Sequence, residues 1–365
     1  MGKMAVFYGT IVSTYIFNLL ARFAYDKNFK GKAIFFSVIV ALILVFLSGL
    51  RSGIGDTPFY KHSYELLVQN PNQFKFDGDF ALNLLSLFLM QISTDPQILI
   101  FTVALITNIL NVIMFNKYRS YLELQVYMYI TSGYYITTMN GLRQCLAAAL
   151  LFACTQLIIK GKFIPYCICV VLISTFHESA LMMLPIYFVV RQEAWSKKMV
   201  IFIGLAVVGV FGYNIISPII FKALESTSYG HYSQFNEGGS SAMRTLVNSV
   251  PVIFAYLKRH ELKEKWPDSN IFVNMSIINV IFVAFGMFNW IFNRFTLYLQ
   301  LYNFVLMPYL IKNCFNGKER RLLYLGFLGC YFFFFYYEQV IGMGMSYPTN
   351  FKLKEFIFGK NYFGG

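Results

Sequence analysis

Residues 33–57 read AIFFSVIVALILVFLSGLRSGIGDT, a long apolar run that ends at an arginine. A run of about 20 apolar residues is long enough to cross the hydrocarbon core of a bilayer. The composition extends this pattern to the whole chain, because 57% of its 365 residues are hydrophobic and only 13% are charged. A soluble domain carries about 25% charged residues. With a mean hydropathy of +0.56, these values predict an integral membrane protein and exclude a soluble enzyme, a nucleic-acid-binding protein and a disordered chain.

Further apolar runs predict a polytopic, all-α protein with about twelve transmembrane helices. Neither a repeat nor a linker rich in Gly and Ser is found, so residues 1–365 are predicted to form a single membrane domain. Several runs are short, and tilted, broken or re-entrant helices are expected there. The predicted spans are residues 5–23, 33–50, 97–116, 121–138, 144–159, 163–176, 179–191, 198–217, 245–258, 270–291, 294–311 and 321–337.

The lysines and arginines predict which connections lie on the cytoplasmic side. The net charge of +13 is expected to come from basic loops on that side, following the positive-inside rule. The rule is satisfied if the N-terminus lies outside and residues 80–93 form a helix on the outer membrane surface instead of a span. The outer regions are then the 51–96 loop with its interfacial helices, the 218–244 loop and the tail after residue 338.

Some charged residues at the predicted outer ends of the spans are not explained by this rule. Charges at membrane depth are costly, and they usually face a cavity, a partner or a ligand. The residues concerned are Arg51, Asp56, Arg143, His177, Arg244 and Arg294.

Arg51 and Arg143 are the two arginines whose local sequence is most informative. Arg51 lies among three glycines, which allow a backbone to approach a ligand closely; the alternative is an interfacial arginine that caps its helix and pairs with Asp56. Arg143 is predicted in the first turn of a helix that Asn140 can cap. A cation is disfavoured there by the helix dipole, and a bound anion would relieve the conflict. Structural pairing is the alternative for Arg143.

The remaining candidates are weighed in the same way. His177 lies at a turn, and its ordinary pKa of about 6.5 suits proton transfer, but a lone histidine is as often structural. Its neighbour Glu178 is predicted to be a solvated rim charge. Arg294 joins two spans with almost no loop and needs a partner or an anion. Arg244 follows a stretch of Gly and Ser and is predicted to be an interfacial anchor, with the 218–244 loop as a candidate lid.

No cofactor is predicted, and a metal site is not expected. The six cysteines form no CxxC motif or Cys/His cluster, and the four histidines are far apart in sequence. Several arginines and one histidine on one face instead suit a pyrophosphate attached to a lipid, because arginine binds phosphate oxygens bidentately. The arginines would stabilise a departing pyrophosphate while a base deprotonates an attacking hydroxyl.

These motifs, in this order, resemble the EpsG family of polysaccharide polymerases, which is allied in role to the Wzy O-antigen polymerases. The resemblance covers most of the chain and rests on motifs that are fairly specific together and weak singly. They are Leu50-Arg51-Ser52 with Gly55-Asp56-Thr57 and Tyr60, Asn140-Gly141-Leu142-Arg143-Gln144 with Ala147, Phe176-His177 with Ser179-Ala180-Leu181, and Arg294-Phe295 with Tyr298.

The resemblance implies a multi-pass enzyme of the bacterial inner membrane with the architecture of a GT-C-like, lipid-donor glycosyltransferase. Such an enzyme joins oligosaccharide repeat units carried on undecaprenyl pyrophosphate, at the outer face of the membrane, to make O-antigen, capsule or exopolysaccharide. The partners that it implies are the lipid-linked oligosaccharide, membrane lipids, a chain-length regulator and a flippase, and no nucleic acid.

The resemblance also selects the site residues, by position within the matched motifs. They are Arg51, Asp56, Arg143, Gln144, His177 and Arg294. Either His177 or Asp56 would deprotonate the acceptor hydroxyl, and the arginines with Gln144 would bind the pyrophosphate and substrate. Arg244 and Glu178 lie outside the matched motifs, and of these two Arg244 is retained as a substrate-binding candidate.

Three other functions stay open on the residues alone. A flippase for the same lipid-linked sugar needs charged residues along a path through the membrane, whereas here the polar groups gather on one side. A ligase would share the donor and differ in its product. A membrane acyltransferase would use His177 as its catalyst but would leave the arginines without a role.

Overall fold

The computed structural model describes residues 4–73, 79–223 and 238–349. Within these residues the chain is helical and contains no strand, and an isolated bridge between Arg51 and Thr349 is its one β contact. The predicted all-α class is therefore confirmed.

The described residues form nineteen α-helices. In the first half of the chain these are α1 Ala5–Asp26, α2 Lys30–Gly49, α3 Thr57–Gln69, α4 Phe80–Leu89, α5 Gln97–Lys117, α6 Leu122–Thr131, α7 Tyr134–Asn140, α8 Leu142–Ala153, α9 Thr155–Ile159 and α10 Phe163–Ser174. The others are α11 Met183–Val190, α12 Lys197–Phe211, α13 Tyr213–Ala223, α14 Ala242–Leu257, α15 Arg259–Lys265, α16 Ser269–Phe285, α17 Ile291–Phe295, α18 Gln300–Asn313 and α19 Gly317–Phe335. Short 3-10 helices at Pro71–Gln73, Glu178–Met182 and Thr296–Tyr298 and a π-helix at Tyr336–Gly342 complete the described chain.

The centre of the bundle is built from helices that are buried on most of their sides. All ten residues of α6 are buried, and most of α8, α16 and α18 is buried as well. The outer helices instead expose large apolar side chains, such as Phe35 on α2, Leu172 on α10 and Phe211 on α12. An apolar outer surface of this kind is stable in lipid and costly in water. The protein is therefore an integral membrane protein.

Three helices of the described chain are long and apolar enough to cross a membrane alone, namely α1, α2 and α5. A fourth span is possible if α12 and the part of α13 that follows it are counted together, but these two helices meet at 97°. The other apolar helices, including α8, α10, α14 and α16, are shorter. The count of about twelve spans, made at about 20 residues a span, stays a prediction.

Several predicted spans are broken within the bundle, as the short apolar runs indicated. The 121–138 span divides between α6 and α7 at Gly133, whose φ of +83° favours glycine. A Cβ on Gly133 would meet the side chain of Gln339. The 294–311 span divides at the 3-10 helix Thr296–Tyr298. Irregular backbone at membrane depth is tolerated where it is buried in protein or lines a cavity, and both breaks adjoin the cavity described below.

The predicted outer loops contain more helix than connection. The 51–96 loop contains α3 and α4, and α4 is only ten residues long, shorter than the predicted 80–93 helix. In the 218–244 loop, residues 218–223 belong to α13 and residues 242–244 begin α14. Residues 224–237, where most of the candidate lid would be, lie outside the described residues.

A buried ion pair joins α1 to the central helix α6. Arg22 Nε lies 3.0 Å from Glu123 Oε1, and the side chain of Glu123 is fully buried. The hydroxyl of Tyr324 on α19 donates a second hydrogen bond to the same carboxylate oxygen at 2.9 Å. One carboxylate therefore ties together three helices that are distant in sequence.

We predict that Glu123→Ala lowers the thermal unfolding midpoint in detergent, because a buried arginine left without its partner costs about 3–5 kcal/mol. Glu65→Ala is the matched control, since Glu65 is half exposed and pairs only with His62. The double variant Arg22→Met, Glu123→Leu should recover most of the loss, because it removes both charges. Equal midpoints for Glu123→Ala and Glu65→Ala would contradict the structural role.

Candidate functional site

A cavity of about 750 Å³ opens at one end of the bundle, where the broken helices meet. It is walled by the start of α3, the junction of α7 and α8, residues 238–241, α17 and the π-helix Tyr336–Gly342. Six of the seven site residues predicted from the sequence line it. They are Asp56, Arg143, Gln144, His177, Arg244 and Arg294.

Arg51 is the predicted site residue that does not line the cavity. Its side chain is 1% exposed, with Nε donating to Thr57 Oγ1 at 2.9 Å and Nη1 donating to the carbonyl of Ser48. No salt bridge to Asp56 or to another described carboxylate is present. Burial lowers the pKa of Arg51 to about 10, so the guanidinium stays charged at neutral pH. Arg51 thus supports the loop that precedes α3, directly behind the cavity.

The Asn140–Gln144 motif supplies one wall of the cavity. Gly141 occupies the N-cap position of α8 without a side-chain cap, so the predicted capping role of Asn140 is wrong. The Asn140 side chain is used elsewhere, because its Oδ1 accepts the backbone N–H of Asp56 at 3.0 Å. Gly55, with φ +53°, packs directly against Asn140 and leaves no room for a Cβ. This contact holds Asp56 at the cavity.

Arg143 lies in the first turn of α8, as predicted, and it is paired with a protein carboxylate. Its Nη1 is 3.0 Å from Asp79 Oδ2, and its guanidinium lies 5.9 Å from the ring centre of Tyr60. Asp79 also accepts the backbone N–H of Glu178 at 2.9 Å. Burial raises the pKa of Asp79, and Arg143 opposes that shift. The helix dipole disfavours a cation at this position, and the carboxylate of Asp79 supplies the compensating negative charge. Asp79 was not among the residues selected from the sequence.

His177 is the N-cap of the 3-10 helix Glu178–Met182 and not a free side chain. Its Nδ1 accepts the backbone N–H of Ser179 at 3.3 Å and lies 2.9 Å from Ser179 Oγ. Ser179 Oγ also lies 2.8 Å from the Tyr298 hydroxyl and accepts from Gln144 Nε2 at 3.1 Å. Because Nδ1 accepts, the neutral ring carries its proton on Nε2.

The arginines of the cavity keep His177 neutral. The pKa of His177 is lowered to about 3, mainly by burial and to a smaller extent by the charges of Arg143 and Arg294. His177 therefore presents an N–H donor at neutral pH. Gln144 couples the two walls, because its Nε2 also donates to the carbonyl of Arg294 at 2.9 Å.

Arg294 completes the basic lining of the cavity. It lies in the last turn of α17, where the helix dipole favours a cation. Its guanidinium stacks 4.8 Å from the ring centre of Trp290, another residue of the cavity wall. Stacking of this kind holds a guanidinium in one orientation at the cavity wall.

Glu338 is the functional candidate that the sequence analysis missed. It is 7% exposed, and Arg244 binds it through Nη2 to Oε2 at 2.8 Å and Nε to Oε1 at 3.3 Å. Ser241 donates to the same carboxylate. Arg244 is thus ion-paired at the cavity wall, a pairing that the sequence did not predict. A lone Glu after the aromatic run 332–337 was the available signal, since charges at membrane depth need partners.

Three arginines line the cavity, and two of them are paired with the carboxylates of Asp79 and Glu338. Arg143, Arg244 and Arg294 meet there with His177, an uncharged donor. In the described part of the chain no group of three or more His, Cys, Asp or Glu side chains could hold a metal ion. Fixed guanidinium groups in a partly closed cavity can bind a diphosphate and stabilise charge that develops on it.

We predict that His177 makes stability depend on pH between its ordinary pKa of 6.5 and about 3. As pH falls through that window, His177 becomes protonated in the unfolded chain but stays neutral in the folded protein. The free energy of unfolding of the wild type should therefore fall by up to about 1.4 kcal/mol per pH unit. Unfolding curves in detergent at pH 7, 6 and 5 should therefore show a smaller loss for His177→Gln than for the wild type.

The control for this measurement is His62→Gln, because the His62 side chain is 68% exposed on α3. Its pH dependence should match that of the wild type. If His177→Gln and His62→Gln both follow the wild-type curve, His177 titrates normally in the folded protein and the assignment of its neutral form is wrong.

The comparison with known families agrees with the order of these motifs along the chain. The sequence model of the EpsG family matches residues 34–348, a range that contains every cavity residue named above. No curated protein and no solved structure matches the chain significantly. Because the family match extends over most of its length, the chain belongs to the EpsG family.

Proposed function

We propose that the protein is a polymerase that joins oligosaccharide repeat units carried on undecaprenyl pyrophosphate. Membership of the EpsG family supports a polysaccharide polymerase of the Wzy-like kind in general. The observation that carries the finer proposal is the meeting of three arginines in one open cavity of about 750 Å³. A cavity of this size and polarity suits a sugar attached to a diphosphate better than a small metabolite.

The two ion pairs of the cavity support a way in which a diphosphate could be bound. Asp79 and Glu338 place carboxylate oxygens against Arg143 and Arg244 at 3.0 and 2.8 Å. A carboxylate and a phosphate present similar paired oxygens to a guanidinium. In the proposed complex, phosphate oxygens accept hydrogen bonds from N–H groups of Arg143 and Arg244. Arg294 donates further hydrogen bonds to them.

In the proposed reaction, a hydroxyl oxygen of the acceptor sugar attacks the anomeric carbon of the donor glycan. A new C–O bond forms as the bond from that carbon to the pyrophosphate oxygen breaks, and the pyrophosphate leaves with the bonding electrons. The arginines stabilise the charge that develops on it. The hydroxyl proton passes to a carboxylate base of the enzyme.

Asp56 suits the role of base better than His177 does. The Asp56 side chain is exposed in the cavity and has no salt bridge to a described residue, so its carboxylate oxygens are open to a substrate hydroxyl. His177 Nδ1 is already engaged, and its Nε2 carries a proton. His177 is therefore assigned to donate a hydrogen bond to a phosphate or sugar oxygen. Pyrophosphate bound near Arg143 and Arg294 would offset their lowering of the His177 pKa.

The position of the cavity supports an active site on the outer face of the membrane. The start of α1 is near the cavity end, because Phe7 packs on Tyr347 at 5.9 Å, next to the residues that bond to Arg51. The other end of α1 lies among the basic connections, where Asp26 pairs with Lys312 at 4.0 Å. The positive-inside rule assigns that basic end to the cytoplasm, which leaves the cavity outside.

A flippase is the second candidate, because three buried asparagines lead from the cavity into the bundle. Asn248 lines the cavity, and its Oδ1 accepts from Asn279 at 2.9 Å and from Asn303 at 3.5 Å. A polar path of this kind is typical of transport. This path is uncharged, however, whereas the three arginines of the site all lie at the cavity. Glycosyl transfer accounts for these arginines better than transport does.

The first test of the polymerase uses purified protein in detergent and a synthetic undecaprenyl-pyrophosphate repeat unit, without metal or nucleotide sugar. We expect a ladder of products spaced by one repeat unit. A micelle has no two faces, so a ladder cannot arise from flipping. Binding without any product would contradict the polymerase and favour the flippase.

We predict that Arg143→Ala lowers kcat at least about 100-fold, as removal of a charge-stabilising donor does in other enzymes. Arg259→Ala is the matched control, since within the described residues Arg259 bonds to the carbonyl of Tyr256 at 3.1 Å and lies over its ring, away from the cavity. Arg143→Ala leaves Asp79 unpaired and should unfold at a lower temperature than the control, so kcat is measured on the folded, membrane-inserted fraction of both variants. An unchanged ladder from Arg143→Ala would remove the arginine from the mechanism.

The choice of base predicts a difference between two conservative variants. Asp56→Asn cannot accept a proton and should lose about 100-fold to 10,000-fold in kcat. His177→Gln keeps an N–H donor and an oxygen that can cap the 3-10 helix, so it should lose far less. Measured under identical conditions, the opposite order of activities would make His177 the base.

A further inference from the structure

A second, smaller cavity of about 300 Å³ adjoins the arginine site. It lies between α3 and α4, with α5 beneath, and we refer to it as the α3–α4 groove. Its lining includes Tyr60 and Arg143, and both of these residues also line the large cavity. The two cavities therefore meet at the guanidinium that is proposed to bind pyrophosphate.

The inner wall of the groove is apolar. Tyr64, Leu67, Leu82 and Leu99 line it, and each is between 1% and 8% exposed. The polar atoms among its buried residues are already satisfied, since the Tyr64 hydroxyl donates to the carbonyl of Ser93 at 2.7 Å. The groove therefore offers apolar contacts along this inner wall, while its polar side chains include Ser63, Asn83 and Arg143.

The rim of the groove carries side chains that suit a lipid environment. Phe59 and Leu66 belong to the lining and are 63% and 42% exposed. On α4, Leu84 and Phe88 are also exposed. Short helices that expose apolar residues in this way are typical of a membrane interface.

We propose that the α3–α4 groove binds the first isoprene units of a polyprenyl pyrophosphate, with the diphosphate on Arg143. This inference rests on the proposed function, which supplies a lipid-linked diphosphate as substrate. In such a molecule the apolar chain begins directly at the phosphate, and here the apolar groove begins directly at the arginine. A volume of about 300 Å³ holds only the start of the chain, so the remainder extends into the bilayer past Phe59 and Leu66.

The position of α4 is coupled to the same arginine. Asp79 is the N-cap residue of α4 and the ion-pair partner of Arg143 at 3.0 Å. A diphosphate that binds Arg143 competes with Asp79 for the guanidinium. Binding of the headgroup therefore also affects α4, the helix that borders the isoprene chain. This coupling gives a reason for Arg143, the proposed diphosphate ligand, to lie at the edge of the α3–α4 groove.

The direct test is photo-crosslinking of the purified protein with a polyprenyl diphosphate that carries a photoreactive group on its first isoprene unit. We expect labelled peptides from α3 and α4, and competition by unlabelled undecaprenyl pyrophosphate. Labelling elsewhere in the chain overturns the proposal. Equal competition by phosphatidylglycerol also overturns it, because the groove would then be an ordinary lipid site.

The activity test fills the groove. Leu82→Trp should raise the KM for the undecaprenyl substrate about tenfold or more, since each buried methylene group contributes roughly a fourfold change in affinity. The same variant should leave the KM for a geranyl diphosphate repeat unit much less changed, because the shorter chain makes fewer of these contacts. Leu205→Trp is the matched control, as Leu205 is 67% exposed on α12 and does not line the groove.

The outcomes separate the groove from the polymerase itself. If Leu82→Trp affects both substrates equally, the groove does not bind the chain, and polymerase activity stands unaffected by that result. If neither substrate forms a ladder with the wild type, the proposed function fails, and the crosslinking pattern still decides whether polyprenyl diphosphate occupies the groove. Should Leu82→Trp not fold, Ser86→Leu fills the same groove with a smaller side chain and is judged by the same comparison.

Discussion

The cost of holding arginine charge at the edge of an apolar bundle is the constraint on which this structure depends. A guanidinium that is partly removed from water needs an anion or a satisfied set of acceptors. Arg143 and Arg244 meet this need through Asp79 and Glu338. These two carboxylates belong to segments that are distant in sequence, so the pairing of charge also determines which segments surround the cavity.

The same charges determine the chemistry that each neighbouring group can perform. Arg143 and Arg294 add to the burial that keeps His177 neutral, and the capping of Ser179 fixes its proton on the nitrogen that is left for a ligand. A histidine beside several cations thus becomes a donor and is a poor base. Asp56, which has no arginine partner in the described chain, is left to accept a proton.

Breaks in the helices create the space in which this chemistry takes place. A continuous helix satisfies its own backbone and presents only side chains, whereas a break at membrane depth needs partners and leaves room. Gly133 and the 3-10 helix Thr296–Tyr298 interrupt two predicted spans beside the cavity, and Gly141 separates α7 from α8 there. Tyr60 and Arg143 line both the cavity and the α3–α4 groove, so the polar and apolar binding surfaces proposed here share a boundary.

The sequence by itself determined the membrane class, the all-α fold and the family, because hydropathy and short motifs are local properties of the chain. It also selected six residues that line one cavity, since charges at the ends of apolar runs are conspicuous. Only the tertiary structure decided that Arg51 lies behind the cavity, that Asn140 holds Asp56 and not a helix end, and that Glu338 pairs with Arg244. Each of these depends on a contact between residues far apart in sequence, such as the 94 positions that separate Arg244 from Glu338. No local pattern encodes such a contact, because it forms only when packing brings two segments together and the buried charge must find its partner.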